Sequence, residues 1–284
     1  MSNCAACGRD DREPAYGGLT RCRLCGHMWA DIEIADQRLR ELYGRHYFFG
    51  EEYSDYLADI ASARGNFARR LRTLERFLTP AHRRLFEIGC AYGIFLDLAR
   101  ERFESVSGID ISADAVNYAR EHFGVDARAG DLLQMPPDGA GYDTVCLWDT
   151  VEHLAHPDRY IQRIAGHMPA GAVLALTTGD TSSLNARLRR ERWRLIHPPT
   201  HLHYFSRRSM ERMLDRFGFE VVHVEHSGNS RRLGSIIDGV LRLRWGWARA
   251  GTWFRDSLVG RVPVYLNLFD IMYVVAVRRG PGAA

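Results

Sequence analysis

The stretch LFEIGCAYG at residues 85–93 decides the fold. Its first four residues predict a short buried strand, its small residues predict a tight turn, and the apolar pattern that follows predicts a helix to about residue 103. A second predicted strand ends at Asp110, seventeen residues after Gly93. Small residues at the start of a helix let the backbone approach a ligand closely, and an acid at the end of the next strand can bind ribose hydroxyls. Together these features predict a site for a nucleotide-type cofactor.

Predicted strands and helices alternate along the rest of the chain. The strands are expected at residues 85–88, 105–110, 126–129, 142–148, 172–177, 219–226 and 271–277, and the main helices between them at 112–123, 157–168 and 206–217. This alternation predicts an α/β fold of the Rossmann-like type, with a doubly wound sheet of seven strands. In such sheets ligands bind at the carboxyl ends of the strands.

Two CxxC pairs mark the N-terminal residues 1–30, and 14 residues separate Cys4 and Cys7 from Cys22 and Cys25. Four thiolates in this pattern suit tetrahedral Zn²⁺, so the segment predicts a zinc-ribbon module with a structural zinc ion. A redox pair, or two chance motifs, is the alternative interpretation.

The remaining boundaries follow from periodicity. Residues 31–80 predict a helical linker or lid, because apolar residues recur at helical spacing from Phe67 to Leu78. Residues 81–280 predict the cofactor-binding domain, with inserts on the acceptor side at 180–205 and 229–268.

Composition excludes several kinds of chemistry. All 38 basic residues are arginine, so a lysine Schiff base and a P-loop lysine are ruled out. No apolar run approaches the ~18 residues that span a bilayer, and the first residues lack the apolar core of a signal peptide, so we expect a cytoplasmic protein. In that compartment six cysteines favour metal binding or free thiols over disulfides.

Five motifs in order resemble those of class I S-adenosylmethionine-dependent methyltransferases, of the methyltransferase-23 type. They are the turn at 87–93, the acid Asp110, the segment 130–132, the segment 142–154 and the turn 169–174, which together lie within residues 84–226. The resemblance implies S-adenosylmethionine as cofactor and a last strand inserted antiparallel beside the fifth. Its implied cofactor-binding residues are Glu87, Gly89, Cys90, Ala91, Tyr92, Gly93, Asp110, Ile111, Asp131, Leu132, Trp148 and Asp149. The sequence departs from the pattern at Ala91, which replaces the middle glycine, and at Ala170 and Ala172.

The run WDTVEHL at residues 148–154 is similar to small-molecule methyltransferases of nucleotide-sugar and ubiquinone pathways. In the sugar enzymes a Glu-His pair at this place is tied to catalysis, which implies roles for Glu152 and His153. In the ubiquinone-pathway enzymes, acids and a histidine spaced like Asp149, Glu152 and His153 hold a divalent cation, so Mg²⁺ is an open alternative. A third interpretation is that His153 only closes over the cofactor.

A second group of candidates lies in the segment 193–206, which is rich in histidine and proline. It resembles a segment of methyltransferases from bacterial polysaccharide and secondary-metabolite pathways. His201 and His203 would point the same way if the segment were extended, which makes both candidates for the acceptor site. The alternative is a structural loop whose histidine caps the next helix.

The sequence therefore predicts methyl transfer to a hydroxyl of a small molecule, either a sugar or glycan precursor or a secondary metabolite. A quinone or lipid-linked acceptor is an alternative, and so is RNA, although the exit of the fourth strand lacks the Asn/Asp-Pro-Pro-aromatic motif of enzymes that methylate base amino groups. A third alternative is that the protein has no catalytic function and serves to bind the cofactor or another protein.

The window 230–261 has a net charge of +5 and holds Trp245, Trp247 and Trp253. Its candidate roles are a lid over the acceptor, a contact with a membrane surface or lipid-linked substrate, a solvated helix face and a homo-oligomer contact. Binding of nucleic acid by this basic segment is the least favoured interpretation.

Overall fold

Strands and helices alternate along most of the chain. A computed structural model describes residues 3–32, 60–135, 141–234, 236–237, 257 and 259–280. The strands are β1 (Arg12–Pro14), β2 (Leu19–Cys22), β3 (Met28–Ala30), β4 (Arg84–Ile88), β5 (Ser105–Asp110), β6 (Asp126–Ala129), β7 (Thr144–Trp148), β8 (Val173–Gly179), β9 (His203–Tyr204), β10 (Phe219–His226), β11 (Asn229–Arg232), β12 (Pro263–Leu266) and β13 (Ile271–Arg278). The α-helices are α1 (Ile60–Glu75), α2 (Ile94–Ala99), α3 (Ala113–Phe123), α4 (Pro157–Ala165), α5 (Leu184–Arg189) and α6 (Arg207–Arg216).

The predicted seven-stranded sheet is confirmed, with the order β10-β13-β8-β7-β4-β5-β6. The strands β4 to β8 pair in parallel, and β13 lies antiparallel between β8 and β10. The antiparallel insertion of the last strand beside β8 also agrees with the resemblance. The carboxyl ends of β4, β5 and β7 therefore meet at one edge of the sheet.

Helices cover both faces of this sheet, which is why β7 is buried along its whole length and β4 is buried except at Arg84. On one face, α1, α2 and α3 contribute Leu74, Phe95 and Val116 to a core shared with Cys146 of β7. On the other face, α4 and α6 contribute Ile161 and Met213 to a second core. Burial on both faces is the normal environment of parallel strands.

The N-terminal strands share a sheet with a strand from a later part of the chain. β1, β2 and β3 make a four-stranded sheet with β9, and β9 belongs to the acceptor-side insert rather than to the N-terminal segment. A side chain in this sheet, Trp29, packs in the same core as α6. The proposed module 1–30 and the proposed insert 180–205 are thus joined through one sheet.

Two predicted segments are described only in part. Of the helical linker at 31–80, the structure describes residues 31–32 and 60–80, in which α1 ends at Glu75, five residues before Pro80. In the insert 229–268, β11 pairs antiparallel with β12, while Trp245, Trp247 and Trp253 lie outside the described residues. Within the described ranges, no helix is long and apolar enough to cross a membrane.

Candidate active site

The loop between β4 and α2 turns through three residues in the left-handed region. Gly89 has φ 78°, Ala91 has φ 44° and Gly93 has φ 73°. A Cβ at Gly93 would lie 2.7 Å from the Cβ of Ala119, and one at Gly89 would collide with the Thr150 hydroxyl, so both positions require glycine. Ala91 adopts its angle at a cost of ~1 kcal/mol, which explains why the departure from the family pattern is tolerated.

Asp110, at the carboxyl end of β5, fastens this loop to the start of α3. Its Oδ2 accepts a hydrogen bond from the Ala91 N–H at 2.8 Å, and its Oδ1 accepts one from the Ser112 N–H at 2.9 Å. Burial raises the pKa of the Asp110 carboxyl, while these backbone donors lower it. A carboxylate has about four acceptor positions, and the backbone donors at residues 91, 111 and 112 leave room for a ribose hydroxyl. The loop and the acid together fit an S-adenosylmethionine molecule.

Three other cofactor-binding candidates have buried side chains, which leaves only their backbone accessible from the loop. The side chains of Cys90, Tyr92 and Trp148 are buried in the two clusters on the α2 side of the sheet. Burial also raises the pKa of the Cys90 thiol, which is therefore unreactive. Glu87 is buried below the loop, where burial and then the charge of Asp110 raise its pKa well above the ordinary value.

Asp131 and Leu132 follow β6, as expected for residues near an adenine ring. Asp131 accepts hydrogen bonds from the Leu133 N–H and the Tyr160 hydroxyl, which fixes the carboxylate. Leu132 is half-buried against the core on the α4 side. Ile111 follows Asp110 directly and is also half-buried.

Asp149 comes directly after β7 and is held from two sides. Arg70 of α1 donates to its Oδ2 at 2.6 Å, and the Thr177 hydroxyl donates to its Oδ1 at 2.8 Å. Burial raises the pKa of the Asp149 carboxyl, but Arg70 and these hydrogen bonds outweigh burial and hold the pKa below its ordinary value. Asp149 is therefore ionised at neutral pH and committed to an ion pair. Its φ of 49° is a strained conformation for a non-glycine residue, of the kind that persists where contacts enforce it.

Glu152 lies three residues further, in the turn Val151–His153, and is only 5% exposed. Its Oε2 has no hydrogen-bond partner among the described residues. Burial, followed by the charge of Asp149, raises the pKa of the Glu152 carboxyl to about 8. Two acids three residues apart therefore have opposite protonation states at neutral pH, an arrangement typical of acid–base sites.

His153 and His201 complete a cluster with Glu152, because a ligand atom of each lies within 4.8 Å of the others. The Nδ1 of His153 is 2.8 Å from the Thr200 carbonyl oxygen, and that of His201 is 2.9 Å from the Leu195 carbonyl oxygen. A carbonyl only accepts, so Nδ1 carries the proton and Nε2 carries the lone pair in each neutral ring. Burial lowers the pKa of His153 to about 4 and that of His201 further, so both rings are neutral at pH 7.

His203 does not join this cluster, because the segment is not extended at His201, which was the condition for both rings to point the same way. Residues 197–201 form a turn, and only His203 and Tyr204 are extended. The His203 ring instead contacts His27 of the N-terminal segment, with 3.1 Å between His203 Nδ1 and His27 Nε2. Neither His27 nor Arg70 stands in a motif, so sequence reasoning missed both.

The four N-terminal cysteines form a compact sulfur cluster. The Sγ atoms of Cys4 and Cys25 are 3.6 Å apart, as are those of Cys7 and Cys22, and all four lie within 4.8 Å of one another as free cysteines. Zn–S bonds of about 2.3 Å give sulfur–sulfur edges of about 3.8 Å in a tetrahedron. The donor set therefore fits a zinc ion.

The geometry gives no support to the Mg²⁺ alternative. Mg²⁺ prefers several oxygen ligands, whereas the cluster offers one carboxylate and two imidazoles, and Asp149 is occupied by Arg70. An imidazole-rich set of this kind suits a divalent transition metal better.

Comparison with known proteins places this geometry in a family. The profile described as "Methyltransferase domain", Methyltransf_23, matches residues 58–224, which is more than half of the chain. Ubiquinone biosynthesis O-methyltransferase of Coxiella burnetii (strain Dugway 5J108-111) is 22% identical over 114 residues, covering 38% of this chain and 49% of that protein. The protein of the same name from Xanthomonas axonopodis pv. citri is 28% identical over 115 residues, covering 38% and 48%. The chain thus spans about half the length of these curated relatives.

A solved structure, magnesium protoporphyrin IX methyltransferase from Synechocystis PCC 6803 with bound SAH, superposes with a TM-score of 0.54. It is 16% identical, and the match covers 86% of this chain and 100% of that one, a likeness in fold. The fold, the cofactor loop and the family profile agree. The chain belongs to the methyltransferase-domain family and carries a class I, S-adenosylmethionine-dependent methyltransferase domain.

Proposed function

We propose that the protein transfers the methyl group of S-adenosylmethionine to a hydroxyl of a small molecule, with a sugar or glycan precursor, or a secondary metabolite, as the acceptor. The observation that carries the proposal is the buried cluster beyond β7. It joins Glu152, with a pKa near 8, to two neutral histidines beside an ionised Asp149. A hydroxyl acceptor must lose a proton during transfer, and the cluster supplies groups suited to take it.

When bound, the cofactor supplies an activated methyl group on a positively charged sulfur. The loop 89–93 and Asp110 would hold it, and the protein's remaining task is to align the acceptor oxygen and remove its proton. Glu152 in its ionised form, or His153 through Nε2, can accept that proton. Arg70 keeps Asp149 ionised, and that negative charge favours a protonated His153.

A phenol or quinol is the second candidate acceptor. The curated relatives named ubiquinone biosynthesis O-methyltransferases favour it, although they match only part of their length. A phenol loses its proton more readily than an alcohol does, so the base would matter less. An RNA acceptor has less support, because residues 148–151 at the end of β7 read WDTV and not the Asn/Asp-Pro-Pro-aromatic motif.

We further propose that Cys4, Cys7, Cys22 and Cys25 bind one structural zinc ion. The sulfur spacing and the lack of disulfides among these residues support it. Such a small segment has little core of its own, so metal binding would contribute directly to its folding.

A panel assay tests the proposed reaction. S-adenosylhomocysteine release is measured with nucleotide sugars, phenols, quinols and RNA as acceptors, and the product is analysed by mass spectrometry. The proposal expects O-methylation of a hydroxyl compound. Release with RNA alone would contradict it.

The pH–rate profile on the accepted compound then separates the two bases. Activity that rises through pH 8 identifies Glu152 as the base that takes the acceptor's proton, because the Glu152 carboxylate forms in that pH range. Activity that is level from pH 5 upward identifies His153 instead, because that ring is already deprotonated.

A further inference from the structure

The N-terminal segment and the acceptor-side insert share a continuous hydrogen-bonded interface. β3 pairs antiparallel with β9, so that Trp29 lies opposite His203, and the Ala30 N–H donates to the Leu202 carbonyl oxygen at 2.9 Å. Met28 and Leu19 pack against Tyr204 on one side of this sheet. The cysteines pack in the same core as Phe205 and Met210. The segment therefore supports the insert from two sides.

His27 stands at the junction between the cysteines and the insert. Its backbone N–H donates to the Cys25 thiol, and its carbonyl oxygen accepts from the Cys22 N–H at 2.8 Å. The imidazole is fully buried and lies nearly parallel to the His203 ring, at 11°, with the ring centres 5.2 Å apart. Both cysteines of the second pair are thus fixed to the residue whose side chain contacts the insert.

The hydrogen bond between the His27 and His203 rings runs from His27 to His203. His203 Nε2 lies 3.4 Å from the Ala155 carbonyl oxygen, which only accepts, so Nε2 carries the His203 proton. His203 Nδ1 is then the acceptor, and His27 Nε2–H is the donor. This assignment is the one for two neutral rings, and both rings are buried.

The far side of His203 leads to the acid–base cluster. Ala155 lies three residues after Glu152, and the Leu202 N–H donates to the Glu152 carbonyl oxygen at 2.9 Å. His201 is held in turn by the Tyr204 hydroxyl, which donates to its carbonyl oxygen at 2.8 Å. Direct contacts therefore connect Cys25, His27, His203 and the turn that carries Glu152.

We propose that His27 and His203 are positioning residues for the acid–base cluster. They fix the turn of Glu152 and the insert that carries His201 relative to the cysteine site. What the positioned groups do rests on the proposed function. The contacts that position them are independent of it and can be tested without an acceptor.

The test compares His27→Leu, which removes the donor, with His27→Gln, whose amide N–H can donate near the place of Nε2. Leu24→Ala is the matched control, since Leu24 lies inside the same CxxC pair and is exposed. Each variant is assayed for zinc content, S-adenosylmethionine affinity, hydrogen exchange of residues 200–205, and the Glu152 pKa by carbon NMR titration of labelled glutamate.

In His27→Leu we expect exchange at residues 200–205 to accelerate at least tenfold and the Glu152 pKa to move by one unit or more. Cofactor affinity should stay within threefold, because the cofactor loop lies on other elements. His27→Gln should restore both readouts to within threefold and half a unit of the wild type, and Leu24→Ala should change neither.

Wild-type exchange and an unshifted Glu152 pKa in His27→Leu would overturn the proposal. Equal disruption in His27→Gln and His27→Leu would also overturn it, because the residue would then serve only the cysteine site. A wild-type protein without zinc would refute the metal assignment alone, since the His27 variants still test these contacts.

Discussion

Replacing Glu152 with glutamine should stabilise the folded protein at high pH while impairing its activity. The folded state holds the Glu152 proton up to about pH 8, whereas the unfolded chain releases it near the ordinary value of 4.5. Between these values the folded state binds more protons, so the free energy of unfolding falls as pH rises. Glutamine resembles the protonated carboxyl in shape and cannot ionise, so this loss should disappear.

The magnitude follows from the two pKa values. At 1.36 kcal/mol per pKa unit, the difference between 4.5 and about 8 sets a ceiling of about 5 kcal/mol. Local relaxation and water entry reduce such penalties, so we expect ~2–4 kcal/mol. The penalty is absent below pH 4.5 and complete above pH 8.

Urea unfolding at pH 5 and pH 9 measures the effect. The useful quantity is the change in unfolding free energy between the two pH values, because any fixed cost of the substitution cancels. Glu121→Gln, an exposed acid on α3, is the control and should resemble the wild type. If Glu152→Gln shows the wild-type pH dependence within ~0.5 kcal/mol, Glu152 is ionised in the folded state and the reasoning fails.

Three further results are expected. His153→Ala or His201→Ala should slow methyl transfer on the accepted compound by roughly 10²–10⁴ with cofactor affinity within a few-fold, and near-normal turnover in both would remove histidine as the base. Arg70→Met should cost ~1–3 kcal/mol in urea unfolding because it leaves the half-buried Asp149 carboxylate without its charged partner, and adding Asp149→Asn should recover part of that loss, whereas additive losses would deny the ion pair. Elemental analysis after chelator-free purification should find one zinc per chain and much less in Cys25→Ser, and a wild-type protein without zinc would contradict the site.

The sheet and the cofactor loop were predictable because their signals are local. Apolar runs of four to eight residues, each followed by a turn and a helix, predict parallel strands, and Asp110 lies at the end of one of them. Positive φ angles and close packing require glycine at positions 89 and 93. The two glycines are visible in the sequence, so the turn could be predicted from it.

The acid–base site was predictable only in part. Glu152 and His153 lie next to each other in the chain, and their turn follows β7 as expected. An extended segment would place His201 and His203 on the same side, whereas a turn at 197–201 separates their directions. The true partner of His203, His27, lies 176 residues away, and no local pattern reports such a pairing.

The role of Arg70 also could not be predicted from the sequence. On α1 it is one arginine among several, and its burial against Asp149 follows from how the helix packs on the sheet. The pKa values of Asp149 and Glu152 depend on that packing. From the sequence, the pH–rate profile would be expected to change near pH 6.5, the ordinary pKa of histidine. Burial instead lowers the pKa of His153 to about 4.

Calorimetric titration with S-adenosylmethionine tests the central claim most directly. The wild type should bind the cofactor, and Asp110→Ala should weaken binding by ~1–3 kcal/mol, because it removes the carboxylate that holds the loop and would accept from the ribose. Tight binding of NAD without any binding of S-adenosylmethionine would contradict the account.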